Sequence, residues 1–334
     1  MKAYVVVEGC KNLDGLKSVE RPRPEPAAGQ LLVRVRATSL NYRDQMIITG
    51  AYFGGPVTRD TIPLSDGAGE VAEVGAGVTR FKKGDRVAST FFLGWVDGPP
   101  EPRQTRGSPL DGMLAEYVLL DEADAVALPK GLSYEEGATL TCAGVTAWHA
   151  LIDRCAIRPG QSVLVMGTGG VSIFALQFAR AAGARVIMTS SSDEKLARGR
   201  KLGAAEGINY RRTPDWEKEV LRITGNRGVD CVIEVGGVGT LARSMQALAF
   251  GGQLALIGVL AGPQGDTMPY PLMRKGASMH GIFVGSRAMF ERMNLAIEAN
   301  DIHPVIDKVF AFEQAAEAFR HQQAGAFGKV VIRV

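Results

Sequence analysis

One short stretch constrains this chain more than any other. Gly167-Thr168-Gly169-Gly170-Val171-Ser172 follows the apolar, β-branched run SVLVMG at 162–167 and opens a segment of helical periodicity at 170–182. A Gly-rich turn between a buried strand and a helix is where dinucleotide phosphates bind. The first Gly permits the tight turn, and the second lets the backbone approach a pyrophosphate. The helix N-terminus adds unpaired N–H groups and the positive end of its dipole. Ser172 stands where a third Gly is usual, and it is small enough to keep helix and strand close.

The turn sits in a repeating pattern. Further strands are expected at 185–190, 206–210, 229–236, 253–259 and 278–284, with helices at 193–202, 216–223 and 241–249. Alternating strand and helix predicts a doubly wound parallel sheet. The first 125 or so residues read differently. KAYVVV at 2–7, LLVRVRA at 31–37 and GEVAEVG at 69–75 are short β runs bounded by Gly and Pro, RPRPEP at 21–26 is a rigid connector, and 83–88 is a turn feeding a strand. At roughly 150 residues per domain, 334 residues make about two domains. After the last Rossmann-type strand come a helix at 287–300, a strand at 305–312, a helix at 313–322 and a strand at 328–334. That tail either extends the parallel sheet or returns to the β-rich part.

Composition removes other classes. Lys and Arg total 38 against 35 for Asp and Glu, so no basic field marks a nucleic-acid partner. Cys10, Cys142, Cys155 and Cys231 contain no C-x-x-C pair, which argues against a disulfide scaffold or a Cys-rich zinc knot. No apolar run reaches the ~18 residues of a membrane span, and the N-terminus lacks a signal peptide's apolar region. A cytoplasmic protein with no membrane partner is expected. His149, His280, His303 and His321 are scattered and read as surface or core filler.

Cofactor choice is read at the end of the second strand. NAD sites place Asp or Glu there to hold the ribose 2′-hydroxyl. Here the sequence is Thr189-Ser190-Ser191-Ser192, with Lys195 one helical turn on and Tyr210-Arg211-Arg212 ending the third strand. Hydroxyls donate to a 2′-phosphate that a carboxylate would repel, so NADPH is the expected cofactor. The alternative is that Lys195 and both arginines are solvated surface charges. Gly236 and Gly258 either let the backbone pass the cofactor or form ordinary strand-end turns.

With these residues in hand, the chain resembles the medium-chain dehydrogenase/reductase superfamily, closest to its zinc-free quinone-oxidoreductase-like and alcohol-dehydrogenase-like branch. The resemblance runs through Asn41-Tyr42-Arg43-Asp44, Ser65-Asp66-Gly67-Ala68-Gly69-Glu70-Val71, Lys83-Gly84-Asp85-Arg86-Val87, Cys142-Ala143-Gly144-Val145-Thr146-Ala147, the Gly-rich turn and Gly328-Lys329-Val330-Val331-Ile332. It implies an α/β fold in which a Rossmann NADP-binding domain, 125–285, joins a GroES-like β-rich catalytic domain, 1–124 and 286–334. It also implies a tail that returns to the β-rich domain, an active site in the cleft between the domains, and a homodimer formed along the strand SMHGIFV. By the same resemblance Thr146, Val259 and Val284 line the nicotinamide, although both valines also read as simple core residues. The cofactor set is therefore Thr146, Gly167, Gly169, Gly170, Val171, Ser190, Ser191, Lys195, Tyr210, Gly236, Gly258, Val259 and Val284.

Zinc alcohol dehydrogenases of this superfamily hold catalytic zinc with a Cys, a His–Glu pair and a second Cys. The matching positions here are Asn41, Ser65–Asp66 and Cys142, which leaves at most two ligands where Zn²⁺ wants three. No metal site is expected, and Cys142 reads as a small packed hydrophobe. Without a metal, hydrogen-bond donors must polarise a carbonyl. Asn41 and Tyr42 offer such donors, and a Tyr near the position of Tyr52 donates the proton in related enoyl-thioester reductases. Tyr52 otherwise only packs at its loop, and Asp44 orients the loop it occupies. Phe91-Phe92-Leu93-Gly94-Trp95 either seals the core or walls a pocket for an apolar or aromatic substrate. The expected function is zinc-independent, NADPH-dependent hydride transfer to a quinone, enone or other carbonyl. The alternatives are a zinc-type alcohol dehydrogenase and a non-enzymatic NADPH-binding sensor.

Overall fold

The computed structural model describes residues 1–101, 104–258, 260 and 267–334. The chain forms two compact units, Thr146–Val284 and Met1–Val145 with Gly285–Val334.

Thr146–Val284 carries a six-stranded, all-parallel sheet. Its spatial order is Glu206–Asn209, Arg185–Ser190, Ser162–Met166, Val229–Glu234, Leu248–Leu256 and Ser278–Gly281. The order reverses between Ser162–Met166 and Val229–Glu234, which makes their carboxyl ends the topological switch point where such sheets bind ligands. Val163, Leu164 and Val165 have no exposed surface, as a strand covered on both faces requires. Leu164, Ile187, Val232 and Leu254 from four strands pack with Trp216, Leu241 and Met245 from the covering helices.

Two strands of this sheet depart from their expected bounds by three residues or more. Leu248–Leu256 begins five residues before Gln253, because Gly251-Gly252 forms a bulge rather than a turn. Gly251 takes φ 71°, and the pairing advances from Leu248 to Gln253 against Val229 to Cys231. Ser278–Gly281 stops short of residue 284, and Val284, at φ 52°, is outside extended geometry.

In the other unit the chain is pleated into a sheet ordered Ile306–Ala311, Lys329–Arg333, Gln30–Ser39, Asp66–Val74, Arg86–Ser89, Ala125–Ala127. Tyr117–Asp121 also pairs with Gln30–Ser39, and Lys2–Val6 pairs with Leu16–Glu20. The tail belongs here. Lys329–Arg333 runs antiparallel to Gln30–Ser39, and Phe310, Phe319 and Ile332 join Val33, Val71, Val87 and Met113 in one core.

The boundary expected at 124/125 lies instead at Val145/Thr146. Ala125–Ala127 adds antiparallel to Arg86–Ser89, and the Thr141 hydroxyl donates to the Ser89 carbonyl, so 125–145 belongs to the β-rich unit. A helix at Tyr42–Ile48, capped by Asn41 and Asp44, adds to the expected elements; its seven residues are too few to display a period.

Phe319 is 1% exposed on the helix Ala315–Gln323. Phe319→Ala is expected to lower stability by about 3–5 kcal/mol in denaturant titration. A loss below about 1 kcal/mol would mean that the tail is not integral to this core.

Candidate functional site

The parallel sheet presents its Gly-rich turn at the switch point. Gly167 has φ 72°, a left-handed geometry that suits Gly. A Cβ on Gly169, the N-cap of helix Gly170–Ala181, would meet no atom within 4 Å, so the space in front of this helix end is open. That is the cradle a pyrophosphate needs, with Gly170 and Val171 supplying the first helical N–H groups. Ser172 donates its hydroxyl to the Met166 carbonyl at 2.6 Å, pinning the first helical turn to the strand end.

Beside the turn, Thr189 and Ser190 are buried at the end of the second strand. The Ser190 hydroxyl accepts the Ser192 N–H at 3.2 Å, and the Tyr210 N–H donates to the Ser190 carbonyl at 3.1 Å. Ser190, Ser191 and Tyr210 are thus brought to one edge. Lys195 lies in the first turn of Asp193–Lys201, where Ser192 caps its N–H. The carboxylate of Asp193 is held by Asn209 and Arg212, so Arg212 is an ion-pair partner rather than an open cation.

Across the switch point, the wholly buried Glu234 shapes the turn around Gly236. Its Oε1 accepts from the Gly236 N–H at 2.6 Å, the Gly237 N–H at 3.0 Å and the Thr240 hydroxyl at 2.8 Å, and Oε2 accepts from Ser244. A Cβ on Gly258 would lie 2.3 Å from the Val235 carbonyl, so close approach of two backbones explains this Gly. Thr146 is buried between π-helical stretches at Leu140–Gly144 and His149–Arg154. Val284 is buried too, and Val259 lies outside the described residues.

The β-rich unit gathers a second cluster, all of it nearly free of solvent. Lys329, 3% exposed, donates from Nζ to the Leu40 carbonyl and to Asn41 Oδ1, each at 2.7 Å, and sits 3.6 Å from Asp66 Oδ2. Asp66, fully buried, also accepts the Ser65 hydroxyl at 2.7 Å and the Cys142 N–H at 3.3 Å. Burial raises the Asp66 pKa. Lys329 first, then Asn41, Ser65 and the Cys142 N–H, oppose that rise. The Asn41 amide favours the carboxylate through its proximity, but its buried Nδ2 makes no hydrogen bond of full geometry. Part of Cys142 meets solvent, yet its Sγ is deep enough that burial, aided by the Asp66 charge, pushes the thiol up to about 12.

Asn41, expected to face substrate, is therefore anchored inside this cluster. Tyr42 is 52% exposed on the first turn of its helix. Tyr52 is half-buried, with the Arg43 guanidinium 4.8 Å from its ring centre, and the same guanidinium lies 4.7 Å from the Phe91 ring. Arg43 donates to the carbonyls of Arg106 and Ser108 and to the Thr105 hydroxyl, which ties the 105–108 loop to the helix. Phe91, Phe92 and Trp95 are buried and pack on one another, with ring centres 4.9 Å apart for Phe91–Phe92 and 5.7 Å for Phe92–Trp95.

Lys329, Glu234, Arg43 and His149 were missed as organisers. The available signal was a charged residue inside or beside an apolar run, as in Gly328-Lys329-Val330 and Ile233-Glu234-Val235. Nothing in the sequence pairs either charge with its partners.

The donor set does not fit a catalytic zinc. The one carboxylate faces an ammonium, the one sulfur is a protonated thiol, and among the described residues no three His, Cys, Asp or Glu side chains are placed to hold a metal ion.

Comparison with known proteins brings in two family models. The zinc-binding dehydrogenase model matches residues 170–299, and the alcohol dehydrogenase GroES-like domain matches 27–130. A zinc-type alcohol dehydrogenase-like protein of Schizosaccharomyces pombe is 45% identical, with 99% of each chain covered. Human quinone oxidoreductase is 30% identical over 92% of this chain and 90% of its own. The solved structure of an NAD-dependent alcohol dehydrogenase is 35% identical with TM-score 0.92, covering 100% of both chains.

Asp44 accepts the Asn41 N–H at 2.7 Å, and burial above all raises its pKa to about 6 from 3.8. A carboxyl whose folded pKa is raised favours the folded state below pH 3.8 and loses that contribution as pH rises through about 6. Asp44→Asn keeps the acceptor and removes the charge. Its stability relative to the parent is expected to improve by roughly 2 kcal/mol between pH 4 and pH 7, at about 1.4 kcal/mol per pKa unit. Thermal unfolding at both pH values measures this, and an unchanged difference would show that Asp44 is not strained by its charge.

Proposed function

The chain belongs to the medium-chain dehydrogenase/reductase superfamily of oxidoreductases, and on that premise we propose a zinc-independent, NADPH-dependent reductase acting on a quinone, an enone or another small carbonyl compound. The observation that carries this reading is the buried ammonium of Lys329 beside Asp66. By the family resemblance, Asn41, Ser65–Asp66 and Cys142 stand where zinc members keep their ligands. Two unit charges about 4 Å apart exchange about 4 kcal/mol at an effective dielectric near 20, and a dication doubles that. A metal on Asp66 would have to displace Lys329 from its partner or bear its repulsion.

A bound nicotinamide supplies the hydride in such a reductase. The chain's residues do the rest. Gly167, Gly169, Gly170 and Val171 cradle the pyrophosphate, while Gly236, Gly258, Thr146 and Val284 flank the nicotinamide half. Ser190, Ser191, Lys195 and Tyr210 form the 2′-phosphate pocket, which is supported by the absence of a carboxylate at the strand end and by the engagement of Asp193 elsewhere. Lys329 occupies the Asn41 carbonyl, so the NH₂ end of that amide remains to polarise a substrate oxygen together with Tyr42. Tyr52 donates the proton. We place this activity in the cytoplasm; no helix among the described residues is long and apolar enough to cross a membrane.

Metal-stripped protein is expected to oxidise NADPH with at least one of a quinone, an enone and a simple aldehyde, with kcat/KM for NADPH at least about tenfold that for NADH. A preference for NADH would sink the cofactor assignment. Activity that appears only on adding zinc would sink the metal-free mechanism and favour a zinc-type alcohol dehydrogenase.

A homodimer is part of the same proposal. Ser278–Gly281 is an edge strand of the parallel sheet, with Met279 42% and nearby Phe283 51% exposed. Such an edge invites pairing with its own copy about a twofold axis. Light scattering is expected to give a dimer for the parent and a monomer for Met279→Glu; a monomeric parent would refute the assembly.

A further inference from the structure

Val284 is the least comfortable residue in the nucleotide-binding unit. It is β-branched, buried and held at φ 52°, in the left-handed region that Val rarely enters. Such a conformation persists only where the surroundings over-determine it. Here the device is His149, whose Nδ1 lies 2.7 Å from the Val284 carbonyl.

The imidazole's proton follows from its neighbours. Arg154 donates from Nε to His149 Nε2 at 3.2 Å, so Nε2 is the unprotonated nitrogen and Nδ1 carries the hydrogen given to Val284. Burial first, then the Arg154 charge, lowers the His149 pKa, while the Val284 carbonyl and Asp153 work the other way. A second proton would set Nε2–H against the Arg154 N–H. His149 stands at the start of a π-helical stretch, His149–Arg154, a local widening of the helix that re-aims side chains and recurs at functional sites. Val284 follows the carboxyl end of Ser278–Gly281, and ligands of parallel sheets bind on that edge.

We propose that His149 is a positioning residue for the nicotinamide end of the cofactor site, its Nδ1–H fixing the strained Val284 backbone that borders the ligand. This rests on the reading above that the nicotinamide binds at this sheet edge. The histidine occupies the Val284 carbonyl and holds the turn of the chain after residue 281 in one conformation before any ligand arrives. Binding then does not have to order the segment.

Two ligands separate positioning from general support: NADPH, and ADP-ribose 2′-phosphate, which lacks only the nicotinamide. His149→Leu is expected to weaken NADPH about fivefold to tenfold, the scale of one lost hydrogen bond, and to leave the nicotinamide-free ligand unchanged. His149→Asn, whose amide N–H reaches the place of Nδ1, is expected to recover NADPH affinity. If the Leu variant does not fold, His149→Gln replaces it, since its amide reaches toward Nε2 instead. Equal weakening of both ligands, weakening of neither, or no recovery in the Asn variant would overturn the role of His149 while leaving the cofactor assignment standing. If the parent binds NADPH no more tightly than the nicotinamide-free ligand, the premise fails and the proposal falls with it.

Discussion

Taking the Lys329 ammonium and the Asp66 carboxylate out of water costs several kcal/mol for each ion, even after the protein relaxes. Their attraction at 3.6 Å recovers only part of that cost, so the rest must come from hydrogen bonds to every remaining lone pair and proton. The structure supplies them from distant parts of the chain: the Leu40 carbonyl, the Asn41 amide, the Ser65 hydroxyl and the Cys142 N–H. The pair is stable only when residues 40–41, 65–66, 142 and 329 arrive together. This requirement ties the end of the chain to its beginning and fixes the register of Lys329–Arg333 beside Gln30–Ser39 more narrowly than apolar packing alone.

The same pair bears on the chemistry. A scaffold that places a metal dication at these positions needs anionic ligands there. A scaffold with an internal cation needs one carboxylate to balance it, and no thiolate. Asn41 and Ser65 stand in place of charged or imidazole ligands as neutral hydrogen-bond partners of the ion pair, while burial and the Asp66 charge keep Cys142 protonated against the opposing pull of Lys329. A donor set of this kind is suited to orienting hydrogen-bond donors rather than to ligating a dication.

How much of this was legible in the sequence depended on range. The parallel sheet showed because short strand runs, of which SVLVMG is the most apolar, alternate with segments of helical period. The phosphate turn showed because its glycines do their work within six residues. Leu248–Leu256 was misjudged at its start because Gly251-Gly252 carries the same local signature in a bulge as in a turn. Phe91, Phe92 and Trp95 could be identified as needing cover, but not whether protein or ligand provides it. Lys329 and Asp66 lie 263 positions apart, and charge carries no address along the chain. Family resemblance supplied what spacing could not: the return of the tail, and the significance of Asn41, Ser65 and Cys142 as a set.

Two buried side chains hold backbone at the carboxyl edge of the parallel sheet, and they do so with opposite chemistry. Glu234 accepts, gathering the N–H groups of Gly236 and Gly237 into a turn whose own geometry leaves them without helical partners. His149 donates, capturing the carbonyl of Val284. A carboxylate could not serve at the second place, because it has no proton to give a carbonyl. A lysine would bring a full charge into a buried position already facing Arg154. A neutral imidazole satisfies both neighbours with a single proton, donating on one side and accepting on the other. The residue with the ordinary reading of core filler in the sequence thus meets both constraints of its position as a neutral donor and acceptor, and the strain at Val284 is confined to a single residue at the edge of the sheet.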